Sequence, residues 1–467
     1  MAVTDARTTQ VPTLPAHPDP DTERILDSGL LHELSYAFGG PFHFLLPHRF
    51  DTHLAAFRAA LGEAGVEGRV YYAKKANKAA LWTERAAAHQ AGVDVASAGE
   101  LREALGHGVR GEHLVVTGPA KSDELLRLAL SQGCLVAVDA LDELDRIIAS
   151  ASEVSSYVSP GAARPARLLL RRLPPTQPHS RFGMDDGELE TALGRCVRAG
   201  DAVRMEGFSF HLSGYATQPR TDLAGELVEW CLKARALGLP ADRISIGGGF
   251  AVDYAPAERW QTFLAEQRPE HYHAHKTFRS GDFYPYHSPV AGADALRTIL
   301  ASVPEGGRTG LGARLKETGT LLMLEPGRAL LAGAGSTVFR IQGLKERDGY
   351  RVATVDGTSL SLSEQWFNSE YLPDPVLVTP TGRAHSTGTS PTCVGGASCL
   401  ESDMVTWRKV PLPAGARVGD LLVYPNTAGY QMDSNESPFH DLPLPPKVVI
   451  DRLGDRPRWR LDRRPTG

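Results

Sequence analysis

The sequence predicts an α/β fold: a parallel (β/α)8 barrel followed by an antiparallel β-domain. Three observations carry this. Eight short apolar runs between Val70 and Leu324 alternate with helical patterns. After Gly333 the pattern changes to short strands separated by Gly, Pro and Asp turns. The chemistry-bearing residues of the first part each follow an expected strand, and in a barrel those ends converge on one face.

Taken in order, strands are expected at Val70–Lys74, Val93–Ala96, Leu114–Thr117, Leu135–Val138, Arg167–Arg171, Glu206–Phe210, Arg243–Ile246 and Leu321–Leu324. Helical spacing separates them at Lys78–Ala91, Glu100–Leu105, Asp123–Ser131, Leu141–Ala151, Leu189–Arg198 and Leu223–Ala236. Strand count alone also suits a doubly wound sheet. The Ser/Pro/Ala-rich stretch Ser152–Pro165 reads as a surface loop. A long segment, about Ala255–Thr318, separates the last two barrel strands and has helical spacing at Ala293–Ala301. Later strands are expected at Val338–Gln342, Tyr350–Val355, Val376–Thr379 and Leu421–Tyr424, and the charged tail Arg452–Gly467 carries no expected element. The expected division is residues 1–40 as an N-terminal extension contributing to the β-domain, 41–335 as the barrel, and 336–467 as the β-domain.

Composition narrows the function. The chain has 467 residues, 42% hydrophobic and 22% charged, a formal net charge of −5, and five scattered cysteines. No nucleic-acid or membrane partner is expected, and no disulfide framework. Met1–Asp21 is polar and lacks an apolar signal core, so a cytoplasmic location is the default expectation. His271, His273 and His275 would share a face if they lay on a strand, which raises a metal reading. With no carboxylate or cysteine partner nearby in sequence, an exposed or substrate-facing loop is preferred and no metal is expected. A second reading makes the segment a cover over the site that selects a bulky substrate.

Lys75 closes the β-branched and aromatic run Arg69–Tyr72, where an aldehyde cofactor would be held as a Schiff base. Gly247-Gly248-Gly249 allows close backbone approach to a phosphate, and Gly327 and Arg328 would add an amide and a bidentate cation. The bland alternative is a turn with a surface arginine. Glu325 would keep a pyridine nitrogen protonated and so strengthen an electron sink. His211 would stack on the cofactor ring, against the alternative of a packed core imidazole. Cys399 would donate a proton to a carbanion, against a buried thiol, and Tyr430 would offer a phenol to the phosphate, against a core tyrosine.

These residues, with Tyr72–Asn77, Asp94–Glu100, Ser180–Gly183, Ile246–Phe250, Cys399 with Asp403, and Ala428–Tyr430, resemble the fold-type-III pyridoxal-phosphate decarboxylases, the group of diaminopimelate, ornithine and arginine decarboxylases. The resemblance runs from about Pro41 to Ile450. It implies pyridoxal 5'-phosphate on Lys75, with Glu325 at the ring nitrogen and His211 against the ring. Ser213, Gly247, Gly248, Gly249, Gly327, Arg328 and Tyr430 would bind the cofactor. It implies a homodimer in which Cys399, Asp403 and Tyr430 reach the other subunit's site. The family's acidic residue after the cysteine, which contacts the distal end of the substrate, is Leu400 here, with Glu401 shifted by one. The Gly-Ser that follows the histidine in relatives appears as Ser213-Gly214. The nearest counterpart of the arginine-containing segment of diaminopimelate decarboxylases, Trp366–Tyr371, lacks the arginine.

The expected activity is decarboxylation of a small-molecule amino acid, diaminopimelate- or ornithine-like or a larger conjugate such as a citrate-linked amino acid in siderophore assembly. The alternatives are an amino-acid racemase of the same fold, against which Glu325 and Cys399 argue, and a catalytically silent regulator, against which Lys75, Glu325 and Arg328 argue.

Overall fold

The computed structural model describes residues 11–157, 164–364, 369–380, 383, 387–452 and 457–462. Two compact units emerge. One gathers the described parts of Met1–Leu46, Val252–Pro289 and Leu331–Asp462; the other gathers Pro47–Ala251 and Val290–Leu330. The long segment at 255–318 is therefore split between them. It holds the helices Ala257–Glu266, Gly292–Ala301 and Leu311–Thr318.

Strand β1 (Phe42–Leu45) belongs to the first unit. The second unit is a closed barrel of β2 (Gly68–Ala73), β3 (Gly92–Val95), β4 (Leu114–Val116), β5 (Leu135–Val138), β6 (Ala166–Arg172), β7 (Val203–Phe210), β8 (Arg243–Ser245) and β9 (Leu321–Leu324). Every neighbouring pair is parallel, and β2 closes on β9 through Gly68, Arg69 and Val70 against Leu322, Met323 and Leu324. Tyr71, Val115, Leu135, Leu169 and Met323 form one apolar cluster inside it. Residue alternation makes this the packed middle of the barrel rather than a pore.

Local capping fixes where the helices begin. Ser97 Oγ accepts from Glu100 N at 3.1 Å, and Glu100 Oε2 accepts from Ala96 N at 2.8 Å. Those reciprocal bonds start helix Ala98–Gly106 directly after β3. At helix Asp186–Ala199, Asp185 and Glu188 form a capping box, each side chain accepting from the other's backbone amide. The helix beginning at Leu141 continues to Tyr157, so a loop starting at Ser152 is corrected. Residues 158–163 lie outside the described set.

The β-domain sheet contains β10 (Gly335–Arg347), β11 (Tyr350–Val355), β14 (Val376–Val378), β15 (Thr389–Gly395), β16 (Met404–Pro413), β17 (Leu421–Tyr424), β18 (Lys447–Arg452) and β19 (Arg458–Leu461), together with β1; β12 (Ser363–Glu364) and β13 (Ser369–Glu370) form a separate pair. Most pairings are antiparallel, but β1–β18 and β11–β15 are parallel. The tail was expected to lack structure, yet Arg458–Leu461 pairs with β18. Within this unit the fully buried Arg408 bonds Pro12 O at 2.8 Å and Asp374 at 2.7 Å. One cation thus ties the N-terminal segment to the sheet.

Candidate active site

The two adjacent lysines after β2 go separate ways. The turn Lys74–Ala76 is anchored by Tyr72, whose hydroxyl donates to Asn77 O at 2.9 Å. Lys74 is buried and pairs with Glu103 at 3.1 Å, on the outer helix. Lys75 is 53% exposed, and its Nζ stands 3.6 Å from Asp94 Oδ2 at the end of β3. Asp94 is held in turn by Thr117, whose hydroxyl donates to Oδ1 at 2.6 Å. The ends of β2, β3 and β4 are thereby tied together around one amine.

Glu325 follows β9. Its amide donates to Gly247 O at 2.9 Å, and Oε1 accepts from Ser245 Oγ at 2.6 Å. Burial and the charge of Asp94 push this carboxyl up to about 7, against the opposing pull of the Ser245 bond, Lys75 and Arg171. The triglycine is built for close approach. Gly247 and Gly249 have φ of +66° and +77°, and a Cβ on Gly248 would sit 2.8 Å from Glu325 O. Arg328 is buried at the start of the turn Arg328–Leu330, and Ala73 N bonds Pro326 O at 3.2 Å.

His211 follows β7 and packs against Phe182, with ring centroids 4.9 Å apart. Partial enclosure and the cations Lys75, Arg171 and Arg220 push it down to about 4, so the ring is neutral at pH 7. Ser213 N approaches Gln177 Oε1 at 3.5 Å. Thus Lys75, His211, Gly247–Gly249, Glu325 and Arg328 all follow the C-terminal ends of barrel strands.

Two arginines of this end escaped the sequence reading. Arg171 lies one residue before the end of β6 and pairs with Asp139 at 2.7 Å; Arg220 is buried and bonds Gly214 O at 3.1 Å, beside the triglycine. Ser245 and Asp94 also escaped as site residues. Asp94 opens the Asp94–Glu100 motif but was given no role, and nothing local marks Ser245; each acts through a partner on another strand.

The remaining expected residues lie in the β-domain unit. Cys399 is exposed, with Sγ 3.1 Å from His440 Nε2, a partner not foreseen from sequence. Asp403 accepts from Ser359 N at 2.7 Å and Ser398 N at 3.0 Å, so its carboxylate fastens the Gly396–Asp403 loop. Leu400 is 51% exposed, and Glu401 is exposed beside it. Tyr430 is half-buried with φ +75°. The histidines at 271–275 sit in short 3-10 turns, not on a strand, so they share no strand face. His273 Nδ1 is 2.8 Å from Tyr350 Oη, and His271 Nε2 is 3.2 Å from Arg268 Nε. Of Trp366–Tyr371, residues 366–368 lie outside the described set.

Residues 48–277 match the sequence profile of the pyridoxal-dependent decarboxylase pyridoxal-binding domain. The uncharacterized protein y4yA of Sinorhizobium fredii is 37% identical over 92% of this chain and 92% of its own length. A diaminopimelate decarboxylase of Actinosynnema pretiosum is 28% identical over 90% of this chain and 85% of its own length. Among solved structures, diaminopimelate decarboxylase from Helicobacter pylori complexed with L-lysine shares the fold, with TM-score 0.68 and 19% identity over 91% of this chain and 93% of that one. No helix of the described residues is long and apolar enough to cross a membrane. The barrel, the profile over its pyridoxal-binding half and the full-length relatives converge: the chain belongs to the fold-type-III pyridoxal-phosphate-dependent decarboxylases and is an amino-acid decarboxylase.

Proposed function

We propose that the chain removes the α-carboxyl group of an amino acid using pyridoxal phosphate carried on Lys75, with Glu325 at the ring nitrogen. The observation that carries this reading is the carboxyl of Glu325, enclosed at the barrel end and aligned by Ser245. Among the described residues it has no ion-pair partner, and a protonated pyridine nitrogen would supply one. Gly247 and Gly249, whose backbone only glycine adopts easily, Gly248, which has no room for a Cβ, and the buried Arg328 fit the phosphate. When bound, pyridoxal phosphate accepts the electron pair left by the departing carbon dioxide.

The protein's own groups then have separate tasks. Glu325 holds a proton at the ring nitrogen, which favours loss of carbon dioxide over simple racemisation. Neutral His211 presents an uncharged ring face, and Ser213 and Tyr430 complete the cofactor contacts. Cys399 Sγ delivers a proton to the α-carbon, and His440 Nε2 at 3.1 Å is in reach to replace it. Cys399, Asp403 and Tyr430 serve the site of a second copy in a homodimer.

The substrate is an α-amino acid whose far end is not held by an acid directly after the cysteine. Leu400 occupies that position, with Glu401 one residue on. Diaminopimelate- and ornithine-like acids and larger conjugates, including citrate-linked amino acids, form the panel. Carbon dioxide release from one panel member, with a matching amine, is expected. Exchange of the α-hydrogen with the carboxylate retained, and no carbon dioxide from any member, would replace this reading by racemisation. Mixed Lys75→Ala and Cys399→Ala subunits should regain part of the activity; none after proven subunit exchange would remove the shared site.

A further inference from the structure

The amino-terminal end of the barrel holds chemistry that decarboxylation does not use. Tyr71, Leu169 and Met323 point into the barrel interior. Two residues earlier on the same strands, Arg69 and Arg167 point the same way. β7 carries a bulge at this level, where the pairing skips from Met205 to Gly207. The intervening Glu206 binds Arg167 through two bonds of 2.7 and 3.0 Å, and lies 3.1 Å from Arg243 and 3.3 Å from Arg204. One buried carboxylate therefore serves three guanidiniums, and Arg69 has no ion-pair partner among the described residues.

Arg69, Arg167 and Arg243 open onto a cavity of about 960 Å³. Arg58, Arg69, Arg164, Arg167 and Arg243 reach its wall, against Glu67 and Glu112, and Glu112 is already engaged by Arg110. Arg58 donates to His89 O at 2.7 Å and meets no carboxylate among the described residues. Burial and the charge of Arg69 push both Arg58 and His113 down, which reports a positive field in the cavity. Leu61, Leu322 and Met323 supply an apolar wall.

We infer that this end of the barrel binds a phosphate-bearing small molecule, its anion held by Arg69 and Arg58 and its body against the apolar wall. Guanidinium forks match phosphate oxygens in pairs, and the volume exceeds a bare ion and suits a ligand of nucleotide size. The cavity lies at the opposite strand ends from the triglycine, so occupancy leaves the cofactor in place.

The test is calorimetric titration of the cofactor-loaded enzyme at low ionic strength with inorganic pyrophosphate, AMP and, as the uncharged control, adenosine. Pyrophosphate and AMP should bind, adenosine should not, and the visible absorbance of the cofactor should stay constant. Arg69→Gln should weaken binding by roughly tenfold or more, as expected for loss of a charge-assisted contact. Arg58→Gln, on the exterior helix, should act in the same direction and decides the matter if Arg69→Gln does not fold. Failure of both anions to bind at millimolar concentration would overturn the site. So would unchanged affinity in the folded variants, or binding that tracks loss of the cofactor.

Discussion

At the carboxyl ends of the barrel strands, Lys75, Asp94, His211, Arg171 and Glu325 set charges of both signs within one another's field; at the amino ends, Arg167, Arg204 and Arg243 crowd a single carboxylate, Glu206, and Arg69 adds a further cation. The contrast lies in what the burial does. At the carboxyl end it leaves groups perturbed toward neutrality, an acid pushed up to about 7 and an imidazole pushed down to about 4. The acid is thereby poised to hold or release a proton near neutral pH, while the imidazole stays uncharged there. At the amino end one carboxylate offsets three guanidiniums, and the remaining positive charge is in excess. One end is arranged for reaction and the other for structure and anion recognition.

The neighbouring lysines give the sharpest break of this comparison. Lys75→Ala should abolish covalent cofactor capture and reduce turnover by at least about 10⁴-fold, since the neighbouring amine, Lys74, is buried and paired with Glu103. Lys74→Met should keep the cofactor and cost roughly 1–3 kcal/mol of stability through the stranded Glu103. Borohydride reduction followed by peptide mapping, with thermal unfolding of both variants, checks the pair. A cofactor label on Lys74 would reverse the assignment.

The amino end is probed by Glu206→Gln. Removing the charge that three guanidiniums share should destabilise the fold by roughly 3–5 kcal/mol while leaving kcat near the wild-type value. Urea unfolding measures the first and steady-state assay the second. A large loss of kcat in protein that is still folded would erase the functional separation of the two ends.

Much of the barrel was legible because its signals are local. Leu135–Val138, Leu321–Leu324 and Asp123–Ser131 fall where apolar runs and helical spacing put them. Ser152–Tyr157 was misread because a Ser/Ala stretch lacks an amphipathic stripe, yet nothing in it stops a helix. Strand Met404–Pro413 was overlooked because Pro411 and Pro413 argue against a strand; it lies at the end of the sheet order, where proline is tolerated. At the site, Lys75, Glu325 and the triglycine stood out by residue type and position after strands. Arg171, Arg220 and Ser245 did not, because a lone arginine or serine reads as surface until its partner is brought in by the fold. Arg408, which meets Pro12 across nearly the whole chain, is the extreme case.

Glu325→Gln tests the carboxyl end in two ways. In the loaded enzyme, kcat should fall by roughly 100-fold with the cofactor still bound, because an amide cannot keep the ring nitrogen charged. In cofactor-free protein the same change should alter the pH dependence of stability. Folding raises the carboxyl from 4.5 to about 7, so between those values the folded chain keeps a proton that the unfolded chain has released. Stability from this group is present below the lower value and is lost as pH rises through the upper one. Glutamine has no proton to lose, so the variant should gain about 2–3 kcal/mol on the wild type between pH ~5 and ~8. Unfolding midpoints at the two pH values measure this. Parallel pH profiles would mean that Glu325 is ordinarily ionised, and the barrel's carboxyl end would then lose the acid that distinguishes it from the arginine end.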